Sequence, residues 1–392
     1  MKQVISSENK PIKMWLDDIE DGALDQAKNL ANLPFVFKHV AIMPDSHLGF
    51  GMPIGGVLAT EGVVLPNAVG VDISCGVVAQ KTNITELSTN KLKAIMGAIR
   101  KSVPVGFEWH KDKQNEDLMP ELKEKHEMPI VHQQYDKAIK QLGTLGSGNH
   151  FIEIQKGSDG FIWVMIHSGS RNLGKQVADH YNKKAVQLNE QWCSSVPKKW
   201  ELAFLPIETY EAKLYMNEMQ YCVDFALANR KHMMENVKKA IKNNHPPVKF
   251  ETFINISHNY AAWEHHFNRN VIIHRKGATK AYEGEYGIIP GSQGTKSYIV
   301  KGKGNPDSFK SCSHGAGRKM GSTQAQRTLD LQEEIKKLDD QGIIHGMRHE
   351  NDLDEATGAY KSIDVVMENQ KDLVDIEVEL KTLAVIKAYE IN

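Results

Sequence analysis

The sequence has few of the features that mark membrane, secreted or strongly charged proteins. No apolar run approaches the roughly 20 residues that a membrane-spanning helix needs. The first residues, MKQVISSENKPIKMW, lack the basic start and apolar core of a secretory signal. The four cysteines are scattered and form no CxxC pair, which argues against a disulfide framework. We therefore expect a soluble, cytoplasmic protein.

The charge balance gives no overall indication of a nucleic-acid partner, because 48 basic residues face 49 acidic ones. Locally the balance differs: between residues 296 and 319, six lysines and arginines are opposed only by Asp307. Such a segment can hold phosphate groups, or it can be an ordinary solvated surface, and charge alone does not choose between the two.

Two familiar nucleotide-binding patterns are also missing. The chain contains no GxxxxGK[ST] segment, which excludes a P-loop nucleotidase. No GxGxxG opens a helix with an acidic residue at the right distance for a dinucleotide ribose. Any nucleotide site must therefore be built in another way.

The order of secondary structure predicts a mixed fold. Runs rich in β-branched and aromatic residues predict strands at 35–43, 160–166, 250–257 and 270–275. Alternation of Ile376, Val378 and Leu380 predicts another strand near the C-terminus. Apolar spacing at 92–99 predicts one helix, and a long helix is expected over about 209–242. The irregular order indicates an α+β or mixed α/β core.

Glycine-rich segments that carry a histidine, an acid or hydroxyl residues are the most informative part of the chain. Glycine permits close backbone approach, so loops of this kind are natural cradles for phosphate. The segments lie at 43–56, 69–77, 142–153, 167–174, 289–297 and 311–318.

Five side chains in or beside these loops have the chemistry of metal ligands. Asp72 stands three residues before Cys75, so one tight turn can direct both groups at one ion or at two. His150, His167 and His258 follow at distant positions, each at the edge of a predicted strand. Any one of these histidines alone is more simply a structural residue, but together the five supply enough ligands for two ions. Thiolate and imidazole favour zinc or another first-row ion over magnesium.

His314 differs from the other histidines in its surroundings. It lies in SCSHGAGR, close to Arg318 and within the basic segment. A neutral imidazole is a competent nucleophile toward phosphorus, and a nearby arginine can stabilise phosphate charge. From the residues alone, His314 can be a nucleophile, a metal ligand or a structural residue.

Nine motifs resemble those of the RNA-splicing ligase RtcB family and occur in the family's order. They are MPDSHLGFG, VGVDISCG, LGTLGSGNHFIE, HSGSRNLG, SHNY, RKGA, PGSQGTKSYIV, SCSHGAGR and AYKSIDVV. The resemblance runs from PIKMW to VIKA, almost the whole chain. It implies a single catalytic domain over 1–392 with a central β core. It also implies a GTP- and Mn²⁺-dependent enzyme that joins RNA 3′-phosphate or 2′,3′-cyclic phosphate ends to 5′-hydroxyl ends.

The resemblance also assigns roles to individual residues. It implies that His314 becomes guanylylated and that two Mn²⁺ ions are held by Asp72, Cys75, His150, His167 and His258. It implies GTP contacts from Asn149, Phe151, Glu153, Asn259, Ser292, Ser297, Gly315, Ala316, Gly317, Tyr360 and Lys387. Arg171, Lys276 and Arg318 are expected to hold RNA or phosphate.

Two positions depart from the family pattern and leave other functions open. The family often has glycine where Ser74 stands and methionine where Gln293 stands. A paralogue that hydrolyses RNA end phosphates or cyclic phosphodiesters without productive ligation is the alternative enzyme. An RNA-binding accessory protein that retains the site without turnover is the alternative outside enzymes.

Overall fold

Two large β-sheets form the centre of the computed structural model, which describes residues 1–388. The strands are β1 (Gln3–Ile5), β2 (Ile12–Met14), β3 (Val36–His47), β4 (Ile54–Thr60), β5 (Val63–Val64), β6 (Gly76–Thr82), β7 (Phe151–Gly157), β8 (Ile162–Ser168), β9 (Leu205–Pro206), β10 (Phe250–Ser257), β11 (Asn259–His266), β12 (Arg269–Lys276), β13 (Ala278–Lys280), β14 (Tyr286–Ile289), β15 (Ser297–Gly302), β16 (Ser311–Ser313) and β17 (Val374–Ile386). The helices are α1 (Asp21–Ala31), α2 (Thr89–Ser102), α3 (Pro129–Gln141), α4 (Arg171–Gln191), α5 (Tyr210–Asn244), α6 (Ser322–Thr328), α7 (Leu331–Asp339) and α8 (Ile363–Asn369).

The first sheet has the order β1-β2-β3-β4-β12-β11 and the second has the order β10-β6-β8-β7-β17-β15-β14. Neighbouring strands are antiparallel in every described pair of the two sheets except β2 and β3. Two short pairs, β13 with β16 and β5 with β9, complete the described β structure. The α+β class predicted from the sequence is confirmed.

Several predicted elements appear where the pattern placed them. β10 and α5 match the predicted strand and long helix, and Thr209 begins α5 by accepting a hydrogen bond from the backbone N–H of Ala212. The apolar face predicted for the earlier helix is buried in α2. The predicted domain over 1–392 includes residues 389–392, which lie outside the described part.

Helices α2 and α5 cover one face of the second sheet. Ile95 and Ile99 of α2 pack with Met233 and Val237 of α5 in one buried cluster that also contains sheet residues such as Val164. Burying each of these side chains contributes roughly 1.5–3 kcal/mol. This packing holds the second sheet rigid beneath the ends of its strands.

Within residues 1–388, no helix is long and apolar enough to span a bilayer.

One residue joins the two large sheets. β10 belongs to the second sheet and β11 to the first, and only His258 lies between them. The backbone N–H of His258 donates to the carbonyl of Cys75, and its carbonyl accepts from the N–H of Ala278. His258 is thereby fixed at the place where the sheets meet.

Candidate active site

The five predicted metal ligands converge at one edge of the second sheet. Strands β10, β6, β8 and β7 are consecutive there and antiparallel, so the end of one lies beside the start of the next. Cys75 immediately precedes β6 and His150 immediately precedes β7, while His167 lies near the end of β8 and His258 follows β10. The sheet order therefore brings together residues that are far apart in the sequence.

The ligand atoms are close enough to share cations. The Cys75 Sγ lies 3.3 Å from the His150 Nε2 and 3.2 Å from the His167 Nε2. The His167 and His258 Nε2 atoms are 3.4 Å apart, and an Asp72 oxygen lies 3.5 Å from the His150 Nε2. Two groups of three ligands form, Cys75-His167-His258 and Asp72-Cys75-His150, each with its atoms within 4.8 Å of one another. Cys75 belongs to both groups.

Hydrogen bonds behind the cluster set the tautomers of two histidines. The Nδ1 of His150 lies 2.9 Å from the carbonyl of Leu145, and the Nδ1 of His167 lies 3.2 Å from that of Asn149. Because a carbonyl only accepts, each Nδ1 carries the proton and each Nε2 presents a lone pair to the cluster. The Nδ1 of His258 is buried without a partner in the described chain.

The protonation state of two cluster histidines also suits a cation. Burial, reinforced by neighbouring imidazoles, lowers the pKa of His167 and of His258 well below the ordinary value. Both rings are therefore neutral and able to ligate. Three imidazole nitrogens, one sulfur and one carboxylate form a donor set that fits first-row transition ions.

A strained turn carries Asp72 and Cys75. Ser74 has a φ of 60°, in the left-handed region that favours glycine, and its Oγ lies 2.6 Å from the Oγ of Ser257. The fully buried Arg230 donates to the carbonyls of Ser74 and Ser168 at 2.9 and 2.8 Å. Arg230, which the sequence did not single out, thus fixes the turn to the end of β8.

His314 lies beside the cluster, and an aspartate that the sequence analysis did not assign holds it there. The Oδ2 of Asp45, at the end of β3, accepts from the His314 Nδ1 at 2.7 Å and from the His314 backbone N–H at 3.1 Å. The rings of His258 and His314 are 4.7 Å apart between centroids. With Nδ1 bound to a carboxylate, the Nε2 of His314 is the free nitrogen. Asp45 stands in the MPDSH motif, which was the only available signal.

A first cavity of about 270 Å³ opens on one side of His314. Its walls include nine of the eleven residues predicted to contact GTP: Asn149, Phe151, Glu153, Ser292, Gly315, Ala316, Gly317, Tyr360 and Lys387. Arg318 lines it as well, and so does Gln293. Gly317 is needed where it stands, because a Cβ there would lie 2.1 Å from the carbonyl oxygen of Asp45.

The buried carboxylate of Glu153 is one acceptor that lines this cavity. Its Oε2 accepts from Gln155 at 2.7 Å and from Thr382 at 3.1 Å, while its Oε1 accepts no hydrogen bond within the described chain. Burial raises the pKa of Glu153 to about 7, although both hydrogen bonds and the charge of Lys387 act in the opposite direction. Glu153 therefore titrates near neutral pH.

Ser297 and Asn259, the other two residues predicted to contact GTP, lie outside the walls of the first cavity. The Ser297 Oγ bonds to the backbone N–H of Gly291 and to the Gln155 amide, so it stands behind Glu153. Asn259 donates to the carbonyl of Asp72 at 3.0 Å and accepts from the N–H of Gly277 at 2.7 Å. Through these hydrogen bonds, both residues stabilise the backbone around the site.

A second cavity of about 780 Å³ opens on the other side of His314. His314, Ile54 and Asn149 line both cavities, and Asp72, Cys75 and His258 line the second. Its rim includes the exposed side chains of Leu48, Phe50 and Val71. His314 and the cluster thus face two separate spaces.

The three predicted phosphate-binding residues occupy different places. Lys276 lines the second cavity, but its ammonium donates to the carbonyls of Phe50 and Asn67 at 2.6 and 3.0 Å. Burial lowers the pKa of Lys276 to about 8. Arg171 lies behind His150, with 3.5 Å between its Nη1 and the His150 Nδ1. Arg318 lines the first cavity.

Known proteins resemble this chain over nearly its full length. The profile of the tRNA-splicing ligase RtcB family matches residues 26–388. The RNA-splicing ligase RtcB of Escherichia coli K12 is 37% identical over 98% of this chain and 99% of its own length. The tRNA-splicing ligases RtcB of Nanoarchaeum equitans and Thermococcus kodakarensis are 31% and 30% identical, over 97% and 89% of this chain and 95% and 87% of their own lengths. The chain belongs to the RtcB family, as its motifs predicted.

Proposed function

We propose that this RtcB-family protein is an RNA ligase that uses GTP and two Mn²⁺ ions within one catalytic domain. Its substrates are RNA ends with a 3′-phosphate or 2′,3′-cyclic phosphate and RNA ends with a 5′-hydroxyl. The observation that supports this most is the position of His314, between a metal-donor cluster and two cavities, with its Nδ1 on Asp45. That arrangement leaves Nε2 as the nucleophile.

The first cavity has the chemistry to select guanine. A carboxylate such as Glu153 can accept both the N1–H and the exocyclic amine of guanine, and adenine does not offer that pair of donors. The ring of Tyr360 lines the same cavity and can stack on the base, and Phe151 packs beside it. The glycine-rich stretch 315–317 provides backbone N–H groups near the phosphates.

The cluster fits the ions that this reaction needs. Cys75, His167 and His258 would hold one ion, and Asp72, Cys75 and His150 would hold the other. When bound, the ions supply Lewis-acid stabilisation of phosphate charge. Asn149 and Asn259 lie beside the cluster and are placed to contact the phosphates.

The chemistry proceeds in three displacements at phosphorus. The His314 Nε2 attacks the α-phosphorus of GTP, pyrophosphate leaves, and a histidine–GMP phosphoramidate forms. Asp45 holds the ring and stabilises the positive charge that the imidazole develops. The RNA 3′-phosphate then takes the GMP from His314. Finally the 5′-hydroxyl attacks that activated phosphate, GMP leaves, and a phosphodiester joins the strands.

The second cavity supplies the route for RNA. The first cavity is occupied by the nucleotide, so the RNA ends reach the same histidine from the other side. Arg171, Lys276 and Arg318 are proposed to hold RNA or nucleotide phosphates. Lys276 also joins two walls of the second cavity through its bonds to the carbonyls of Phe50 and Asn67.

Labelling with GTP tests the proposal directly. The protein is incubated with α-labelled GTP and Mn²⁺, an acid-labile adduct is measured, and 3′-phosphate and 5′-hydroxyl RNA strands are then added. Wild type should label and then seal the strands, and His314→Ala should not label. Asp45→Asn should label about 1,000-fold more slowly, because the amide favours the wrong tautomer.

The outcome also separates the alternative enzyme. A phosphohydrolase would alter the RNA ends without an adduct and without a joined product. Absence of labelling in wild type over a range of Mn²⁺ concentrations would exclude the ligase.

A further inference from the structure

The buried carboxylate of Glu355 collects three groups that line the first cavity. Its side chain is 7% exposed. Oε1 accepts from the Arg318 Nη1 at 2.8 Å, and Oε2 accepts from the Lys387 Nζ at 2.8 Å and from the Tyr360 hydroxyl at 2.5 Å. No motif quoted from the sequence includes Glu355.

Among the described residues, Glu355 is the one anion that pairs with both cations of this group. Burial alone would raise the pKa of Glu355, but Lys387 and Arg318 outweigh burial and hold that pKa below its ordinary value. The carboxylate is therefore ionised at neutral pH. The Arg318 guanidinium also lies over the Tyr360 ring, 5.3 Å from its centroid. One carboxylate thus fixes a stacking ring and two cations.

A residue that departs from the family pattern supports Glu355 from behind. The side-chain amide of Gln293 donates to the backbone carbonyl of Glu355 at 2.9 Å. The methionine that the family often has at this position cannot donate such a bond. Gln293 therefore anchors the backbone of Glu355 in this protein.

Glu355 also determines which carboxylate forms an ion pair with Lys387. Lys387 lies close enough to Glu153 to lower the pKa of that buried acid. Without a charge on Glu355, the Lys387 ammonium would lose its ion pair and could pair with Glu153, which lines the same cavity. That pairing would occupy the acceptor that guanine needs.

We propose that Glu355 is a positioning residue that sets purine specificity by holding Lys387 away from Glu153 and toward the base. The two side chains then present a donor and an acceptor side by side. Guanine matches them with its O6 and its N1–H, whereas adenine would place an amine against the ammonium and a lone pair against the carboxylate. The inference rests on the proposed use of GTP.

The experiment measures nucleotide affinity without turnover. GTP and ATP are titrated by calorimetry into protein carrying His314→Ala, with and without Glu355→Gln, so that no adduct forms. Glu355→Gln should weaken GTP binding about tenfold and change ATP binding less than twofold, so the preference for GTP falls about tenfold. Glu350→Gln is the matched control, since this exposed carboxylate lines neither cavity and makes no ion pair in the described chain; its preference should stay within twofold.

A double-mutant cycle with Lys387→Met separates positioning from general stability. If Glu355 acts through Lys387, adding Glu355→Gln to Lys387→Met should reduce the preference no further. If Glu355→Gln alone does not fold, the double variant, which lacks both buried charges of the pair, is compared with Lys387→Met, and a further loss of preference would overturn the positioning role.

Additive losses, or an unchanged GTP preference in Glu355→Gln, would overturn the positioning role while leaving the ligase intact. Failure of the ligase itself has a different signature, because it is the absence of His314 labelling in otherwise wild-type protein.

Discussion

The metal-donor cluster and the first cavity meet at His314, but different parts of the structure hold them. The cluster takes its ligands from the ends of four adjacent strands, and backbone carbonyls orient two of its histidines. The far wall of the first cavity comes from loops and the C-terminal segment, and the Glu355 carboxylate orients its side chains. The metal-donor cluster is held mainly by the backbone, so the sheet specifies its geometry. The side chains of the first cavity depend instead on the charge of one residue, Glu355.

The difference predicts how each region responds to substitution. Loss of a ligand should abolish binding at the cluster without disturbing the sheet beneath it. Loss of a charge in the first cavity should change selectivity and pH response before it changes catalysis. Four further experiments examine this contrast.

Cys75→Ala should have the largest effect. Cys75 belongs to both donor groups, so its removal should weaken Mn²⁺ binding roughly 100-fold or more and suppress His314 labelling. Binding is measured by titration calorimetry. Cys193→Ala, at an exposed cysteine away from the cluster, is the control and should bind normally. Equal Mn²⁺ affinity in the two variants would remove Cys75 from the site.

Glu153 should give an intermediate, pH-dependent effect. Its pKa is about 7 in the free protein, and only the ionised carboxylate accepts both guanine donors. GTP affinity should therefore rise about tenfold from pH 6 to pH 8 beyond the change seen in Glu153→Gln. The variant serves as the reference because nucleotide phosphates titrate equally in both proteins. Parallel pH curves would contradict the assignment.

Ionisation of Glu153 should also lower the free energy of unfolding as the pH rises. Its pKa in the folded protein lies above the ordinary value of 4.5, so the cost is absent below pH 4.5, grows up to pH 7 and is complete above it. The cost is on the order of 3 kcal/mol. Glu153→Gln should therefore melt higher than wild type at pH 8, with a smaller difference at pH 5. The protein with ionised Glu153, the form that binds guanine, should thus be less stable than the protein with a neutral glutamine at this position.

Ser74 should give the smallest effect. Ser74→Gly relieves the strain of φ 60° but loses the hydrogen bond to Ser257, so its melting temperature should stay close to that of wild type. Ser74→Ala keeps the strain and loses the bond, and should be about 1 kcal/mol less stable than the glycine variant. The opposite order of melting temperatures would show that strain at this turn is unimportant.

Local pattern was enough to predict much of the fold. The strand at 250–257, the long helix and the buried face of α2 depend on neighbouring residues, and the structure confirms them. β7 was missed because its first three residues were assigned to a glycine-rich loop. There the pairing with β8 and β17 decides the conformation, and β17 is distant in sequence.

The sequence by itself determined the family and the chemical types of the ligands, because motifs and residue types are recognisable without knowledge of the fold. Only the tertiary structure brought the five ligands to one edge, since that depends on the order of strands in the sheet. It alone paired His314 with Asp45, 269 residues away, and Lys387 with Glu355. Such pairs are set by sheet register and loop packing, which local periodicity does not encode. For the same reason Ser297 lies behind the first cavity and Asn259 lines the second, while Glu355 stands within the first.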